Sequence, residues 1–95
     1  MSEPLTYLDY AATAPLRPEV AAAMAAALAE PLGNPTGSHP AAQRARRLLE
    51  EARDDVADFL GRSPADIVFT SGGTESANLA VLGPLEAARL AGREE

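Results

Sequence analysis

Residues 67–78 read Ile-Val-Phe-Thr-Ser-Gly-Gly-Thr-Glu-Ser-Ala-Asn. They form a short apolar, β-branched run, a tight Ser-Gly-Gly turn and the opening of a helix. Four residues without polar alternation suit a strand buried in a parallel sheet. Two glycines let the backbone turn sharply, and the first N–H groups of the following helix have no intrahelical partner. Their partial positive charge favours a phosphate or carboxylate at that end. On this reading Ser71, Gly72, Gly73 and Thr74 cradle an anion through backbone N–H groups and the Thr74 hydroxyl. The same residues also read as a plain strand-to-helix connection, capped by Ser71 or Thr74 and with Glu75 complementing the dipole. They are not a Walker loop, because the spacing differs and the lysine is absent.

Working toward the N-terminus, residues 31–40 (PLGNPTGSHP) are dense in Gly, Pro, Asn and Ser and read as a loop. Ser38 suits an N-cap and Pro40 the first turn of a helix. That helix carries Ala41, Ala45, Leu48, Leu49, Ala52, Val56, Phe59 and Leu60 on one face, and Gly61 ends it. The other face holds Arg44, Arg46, Arg47, Glu50, Glu51, Asp54 and Asp55, with Arg46/Glu50 and Arg47/Glu51 at ion-pair spacing. An earlier helix is predicted to start at Pro18, to align Val20, Met24 and Leu28, and to stop at Pro31 and Gly33. Residues 1–16 read as an extended lead-in. Beyond the glycine turn, Leu79, Leu82 and Leu85 mark a third helix that Gly83-Pro84 should kink or interrupt. The tail, residues 91–95, reads as polar and frayed.

Composition narrows the function. Hydrophobic residues make up 46% of the 95, but 21 residues are alanines, while two Phe, two Tyr and no Trp supply large anchors. A self-sufficient core is not expected from such material. One visible buried strand is not a sheet, so the chain reads as a piece of a larger α/β fold. The net charge of −6 excludes the basic stripe of nucleic-acid binders. All eight cations are arginines, a usage that suits a GC-rich genome. No apolar run approaches the roughly 20 residues that span a bilayer, and no signal peptide is visible. Cysteine is absent, which excludes disulfides and thiolate metal sites. The expected location is cytoplasmic, without nucleic acid or membrane partners.

Among the remaining polar residues, Asn34 between Gly33 and Pro35 reads as a turn residue. His39, the one histidine, reads as a helix-opening residue bonded to backbone, since the sequence offers it no companion metal ligands. Asp9 and Glu75 do not make a convincing acid–base pair.

Four blocks together resemble one family. YLDYAATAP (7–15), GNPTGSH (33–39), Ala52-Arg53 and VFTSGGTESANLA (68–80) are similar, in order and spacing, to the N-terminal part of cysteine desulfurases. These are pyridoxal 5'-phosphate enzymes of the class V aminotransferase group, with fold type I. The resemblance implies a mainly parallel, seven-stranded sheet flanked by helices. Residues 1–35 would form the lead-in and first helix, near the smaller domain, and residues 36–95 the start of the large cofactor-binding domain. It implies that Gly73 and Thr74 contact the cofactor phosphate, that Thr13 and Asn34 lie in segments that line the active-site mouth, and that His39 lies near it. It also implies a homodimer that takes sulfur from L-cysteine to an enzyme thiol, leaves L-alanine, and passes the sulfur to an acceptor protein, as in iron–sulfur cluster assembly.

The family's chemistry needs a lysine to hold the cofactor, a histidine stacked on its ring, an aspartate at the ring nitrogen and a mobile cysteine. In the family these follow the segment matched here. With no lysine and no cysteine, the 95 residues alone are expected to be inactive. Ala42 departs from the glycine many relatives carry there. Related class V aminotransferases and selenocysteine lyases share the glycine turn and stand as alternatives, as does a non-catalytic remnant that binds anions or a partner.

Overall fold

A computed structural model describes residues 3–92. Met1, Ser2 and residues 93–95, and with them the last part of the expected polar tail, lie outside it. Three helices follow one another: α1 (Pro18–Ala29), α2 (Pro40–Leu60) and α3 (Gly73–Leu90), with a single 3-10 turn at Pro64–Asp66 between the last two. The chain divides into two compact units, Met1–Leu49 and Glu50–Glu95, and the boundary falls inside α2.

In the first unit, α1 opens with Pro18 directly after its N-cap Arg17, whose carbonyl accepts from Val20 and Ala21 N–H at 3.0 Å each. A proline belongs there because its missing N–H would be unpaired in any case. The helix ends before Pro31, and its Val20, Met24 and Leu28 stripe is uncovered, with Leu28 84% exposed. Upstream, the lead-in folds into a turn in which Asp9 O accepts from the N–H groups of Ala12 and Thr13.

In α2 the cap is His39, not the expected Ser38. The His39 carbonyl accepts from Gln43 N–H at 3.0 Å, and its Nδ1 accepts from Ala42 N–H at 3.2 Å. An imidazole nitrogen thus does what a hydroxyl usually does, taking a free N–H of the first turn. The end of α2 is closed by Gly61 at φ 63°. Arg62 N–H reaches Ala57 O at 2.9 Å and Gly61 N–H reaches Asp58 O at 3.2 Å, the paired bonds of a Schellman motif.

Burial in α2 differs from the expected face. The fully covered residues are Ala42 and Ala57, with Ala45 nearly so, whereas Phe59 is 88% exposed. On the predicted stripe Leu48, Leu49 and Val56 are only partly covered and Phe59 and Leu60 lie open, while full or nearly full cover falls on three alanines. The arginine expectation also changes. Arg46 does not pair with Glu50, because it lies four residues from the buried Ala42 and so faces the 31–39 loop. Glu50 takes Arg53 instead, Nε to Oε2 at 3.2 Å.

In the second unit the predicted strand over 67–70 is not formed, and no strand exists among the described residues. Ile67 does have extended backbone angles, φ −96° and ψ 124°. A strand exists by pairing its N–H and C=O groups with neighbours, and this segment has none to pair with. The α/β arrangement predicted from sequence is therefore absent from the described residues, which are helical. Farther on, α3 runs through Gly83 and Pro84 as one helix, so of the expected kink or interruption the interruption does not occur. No helix among the described residues is long and apolar enough to cross a membrane.

Candidate functional site

The opening of α3 carries the arrangement to which the sequence pointed. Its N-cap is Gly72, with backbone close to fully extended (φ 164°) and no side-chain cap. The first intrahelical bond runs from Ser76 N–H to Gly72 O at 3.1 Å. Gly73, Thr74 and Glu75 occupy the first three helical positions, and among the described residues no acceptor takes their N–H groups. Neither Ser71 nor Thr74 caps the helix. A Cβ on Gly72 or Gly73 would meet nothing within 4 Å, so the turn itself is open on its side-chain side.

Around this end the hydroxyls and one carboxylate are tied down locally. Glu75 reaches back and accepts from Ser71 N–H at 3.2 Å and from Ser71 Oγ at 2.6 Å. This is a capping box displaced by one residue, since the carboxylate serves the residue before the cap and not the cap itself. The Ser71 hydroxyl, and then its backbone N–H, hold the Glu75 carboxyl below its ordinary value, and the slight loss of hydration there opposes this weakly. Thr70 Oγ1 donates to Gly72 O at 3.1 Å and shares a 2.6 Å contact with Ser76 Oγ. Asn78 Nδ2 closes on Thr74 O at 3.0 Å. The Thr74 hydroxyl is left unengaged among the described residues, and Thr74 is exposed.

What holds the 67–70 segment in its unit is Arg53. Its Nη1 donates to Ile67 O and its guanidinium lies 5.0 Å from the Phe69 ring centroid. One planar cation therefore binds a carbonyl and an aromatic face together, a use for which arginine is suited and lysine is not. In sequence Arg53 stands out only as part of the Ala52-Arg53 block, since its two partners lie 14 and 16 residues further on.

The other predicted site residues lie in the first unit. Asn34 Oδ1 accepts from Thr36 N–H at 3.2 Å and Thr36 Oγ1 at 3.0 Å, while Gly37 N–H returns to Asn34 O at 3.0 Å. Asn34 is thus the first residue of a tight turn, and its amide nitrogen is free among the described residues. This loop lies closely against the start of α2. Gly33 N–H donates to Ala41 O, and a Cβ on Gly33 would stand 2.7 Å from His39 Cε1 and 2.9 Å from Ala42 N. The structure brings Asn34 and His39 into one loop-and-cap assembly. No hydrogen bond among the described residues joins Thr13 to it, and Gly73 and Thr74 belong to the other unit. Arg46, missed in sequence, donates from Nε to Pro35 O at 2.8 Å and from Nη2 to Gly37 O at 2.7 Å. Its position four residues after Ala42 was the available signal.

Among the described residues no three His, Asp or Glu side chains converge as metal ligands.

A loop ordered on a helix cap and an open, donor-rich helix start after a Gly-Gly turn are accompanied by a match over most of the sequence. The family described as Aminotransferase class-V matches residues 6–94. The chain belongs to that family. Among its relatives, the selenocysteine lyase of Bos taurus is 49% identical over 75 residues, 79% of this chain and 17% of the relative. An IscS-like cysteine desulfurase of Mycobacterium tuberculosis is 48% identical over 79 residues, 83% of this chain and 20% of the relative. A cysteine desulfurase IscS of Dictyoglomus turgidum is 47% identical over 77 residues, 81% of this chain and 20% of the relative. The chain therefore spans about a fifth of the length of the curated relatives it matches. No solved structure matches it.

Proposed function

We propose that this chain is the N-terminal part of a pyridoxal-phosphate-dependent cysteine desulfurase and contributes the cradle for the cofactor phosphate. The observation that carries this reading is the start of α3, where the N–H groups of Gly73, Thr74 and Glu75 are unclaimed beside an open Gly-Gly turn. The residues present fit a phosphate. Three unclaimed backbone donors on the first turn and the free Thr74 hydroxyl suit its oxygens, and the helix dipole favours its charge. The nearby Glu75 carboxylate would oppose an anion, but it is engaged by both the hydroxyl and the N–H of Ser71.

Gly73 and Thr74 are the phosphate contacts, and Thr13, Asn34 and His39 stand on the substrate side. Bound there, the cofactor supplies an electron sink for bond breaking at the substrate amino acid. This chain's share is to hold and orient. It has no lysine amine and no thiol to offer, so the remaining four-fifths of such an enzyme would bring them. In the whole enzyme the substrate is L-cysteine, the products are L-alanine and a thiol-bound sulfur, the acceptor is another protein, and the assembly is a cytoplasmic homodimer. Selenocysteine as substrate is the second reading, favoured by the equal similarity to the Bos taurus lyase.

The test is an amide NMR titration of the 95-residue chain with pyridoxal phosphate and, separately, with phosphate-free pyridoxal. The Gly73 and Thr74 signals are expected to move with the first ligand and not with the second, and Thr74→Val should weaken the response. Equal shifts with both ligands, or shifts confined to other residues, would refute the cradle.

A further inference from the structure

We infer that Arg46 is the positioning residue of the loop that carries Asn34, an inference that rests on the substrate-side reading of that asparagine. Arg46 leaves α2 on the side of the covered Ala42 and forks onto two carbonyls, Pro35 O at 2.8 Å and Gly37 O at 2.7 Å. These two carbonyls bracket Thr36. Thr36 in turn gives both its N–H and its hydroxyl to Asn34 Oδ1. The path from the guanidinium to the Asn34 amide is thus a chain of direct bonds.

Each link constrains one degree of freedom. The fork fixes the 35–36 and 37–38 peptide planes, one on each side of the Thr36–Gly37 link, the Thr36 donors fix which way the Asn34 amide is turned, and its nitrogen is left free to donate. Arg46 has no carboxylate partner among the described residues, so its whole donor set is available for the loop. A lysine would offer a point charge without the planar two-pronged geometry. Arg47, one residue along α2, makes no bond to the loop and serves as the internal control.

Hydrogen exchange and amide NMR on the 95-residue chain test this, with Arg46→Ala, Arg46→Lys and Arg47→Ala. In Arg46→Ala, exchange at Thr36 and Gly37 should rise by about tenfold or more, while α3 amides change little, because only local bonds of charged type are lost. The Asn34 side-chain NH2 pair should collapse toward the shifts of a free asparagine. Arg46→Lys should restore the exchange rates in part and the NH2 signature poorly, and Arg47→Ala should change neither. Unchanged Thr36 and Gly37 exchange, a rise spread evenly over all three helices, full recovery by lysine, or a parent chain whose Thr36 and Gly37 exchange as in an unfolded peptide would each overturn the assignment. These readouts need no cofactor. A pyridoxal phosphate titration that leaves Gly73 and Thr74 unmoved would sink the cofactor reading while the Arg46 result stood.

Discussion

A Cβ built on Gly37 would lie 2.9 Å from the Cβ of Ala42, closer than two such atoms approach in folded proteins. Neither partner can step aside, since one would be fixed to the loop backbone and the other is fixed to the first turn of α2. Ala42 is fully covered. The loop glycine and the helix alanine therefore divide one methyl-sized space between them.

Gly37→Ala is expected to destabilise the loop and helix start by about 1–3 kcal/mol through overpacking. Ala42→Gly alone should cost about 1 kcal/mol from helix propensity. The double variant should recover part of the loss, with a coupling of roughly 0.5–3 kcal/mol. Denaturant unfolding followed by helical circular dichroism measures all three, and strict additivity would show that the two positions do not compete.

Arg53→Ala should free the 67–70 segment. Losing a charged hydrogen bond to Ile67 O and the stacking on Phe69 is expected to lower the local opening free energy by about 1–3 kcal/mol. Exchange at the amides of residues 67–70 reports it. Arg53→Lys should recover less than half, because it cannot serve a carbonyl and a ring at once. Full recovery with lysine would mean that only the charge matters.

Glu75 gives a pH dependence of known sign. Its folded carboxyl titrates below the ordinary 4.5 because ionised Glu75 accepts from Ser71. The stabilisation is present in full above the unfolded value and is lost as pH falls through the lower folded value. Carbon-detected NMR of the Glu75 carboxyl should give a midpoint below that of a free glutamate, and Ser71→Ala should raise it. A midpoint unaffected by Ser71→Ala would remove the hydroxyl as the cause.

Pro84 sits inside α3 and deprives the Ala80 carbonyl of its donor. Pro84→Ala is expected to raise helix stability by about 1–3 kcal/mol on propensity alone. Thermal unfolding checks this, and a loss of stability would point to a neighbour that depends on the proline.

How much of this was legible in the sequence depends on how local each cause is. Pro18, Pro40 and Gly61 act within one turn, and the helices begin and end where these residues indicated. The Gly-Gly turn was legible for the same reason, although the actual cap is Gly72 and the carboxylate of Glu75 serves Ser71. The 67–70 run does not form a strand among the described residues because a strand's hydrogen bonds belong to partners that these residues do not include. The cover over Ala42 and Ala57 is not legible in sequence, because periodicity identifies a face but not which part of it finds cover. Arg46 was assigned to Glu50 by the i,i+4 rule, while the loop carbonyls opposite offered it two better acceptors. Pro84 does not end α3, because one lost bond does not outweigh the turns on either side. The phosphate and substrate roles proposed for Gly73, Thr74, Thr13, Asn34 and His39 are legible only through the family pattern, because a role toward a ligand leaves no mark in local backbone preferences.

The ties that Arg46 and Arg53 make are short in sequence, 9, 11 and 14 residues apart. Contacts of that span close quickly, because little chain entropy must be surrendered before they form. Folding would then start from α2, with one arginine gathering the loop before it and another gathering the extended segment after it. A nucleus assembled this way draws only on residues 35–69, with α2 as its spine.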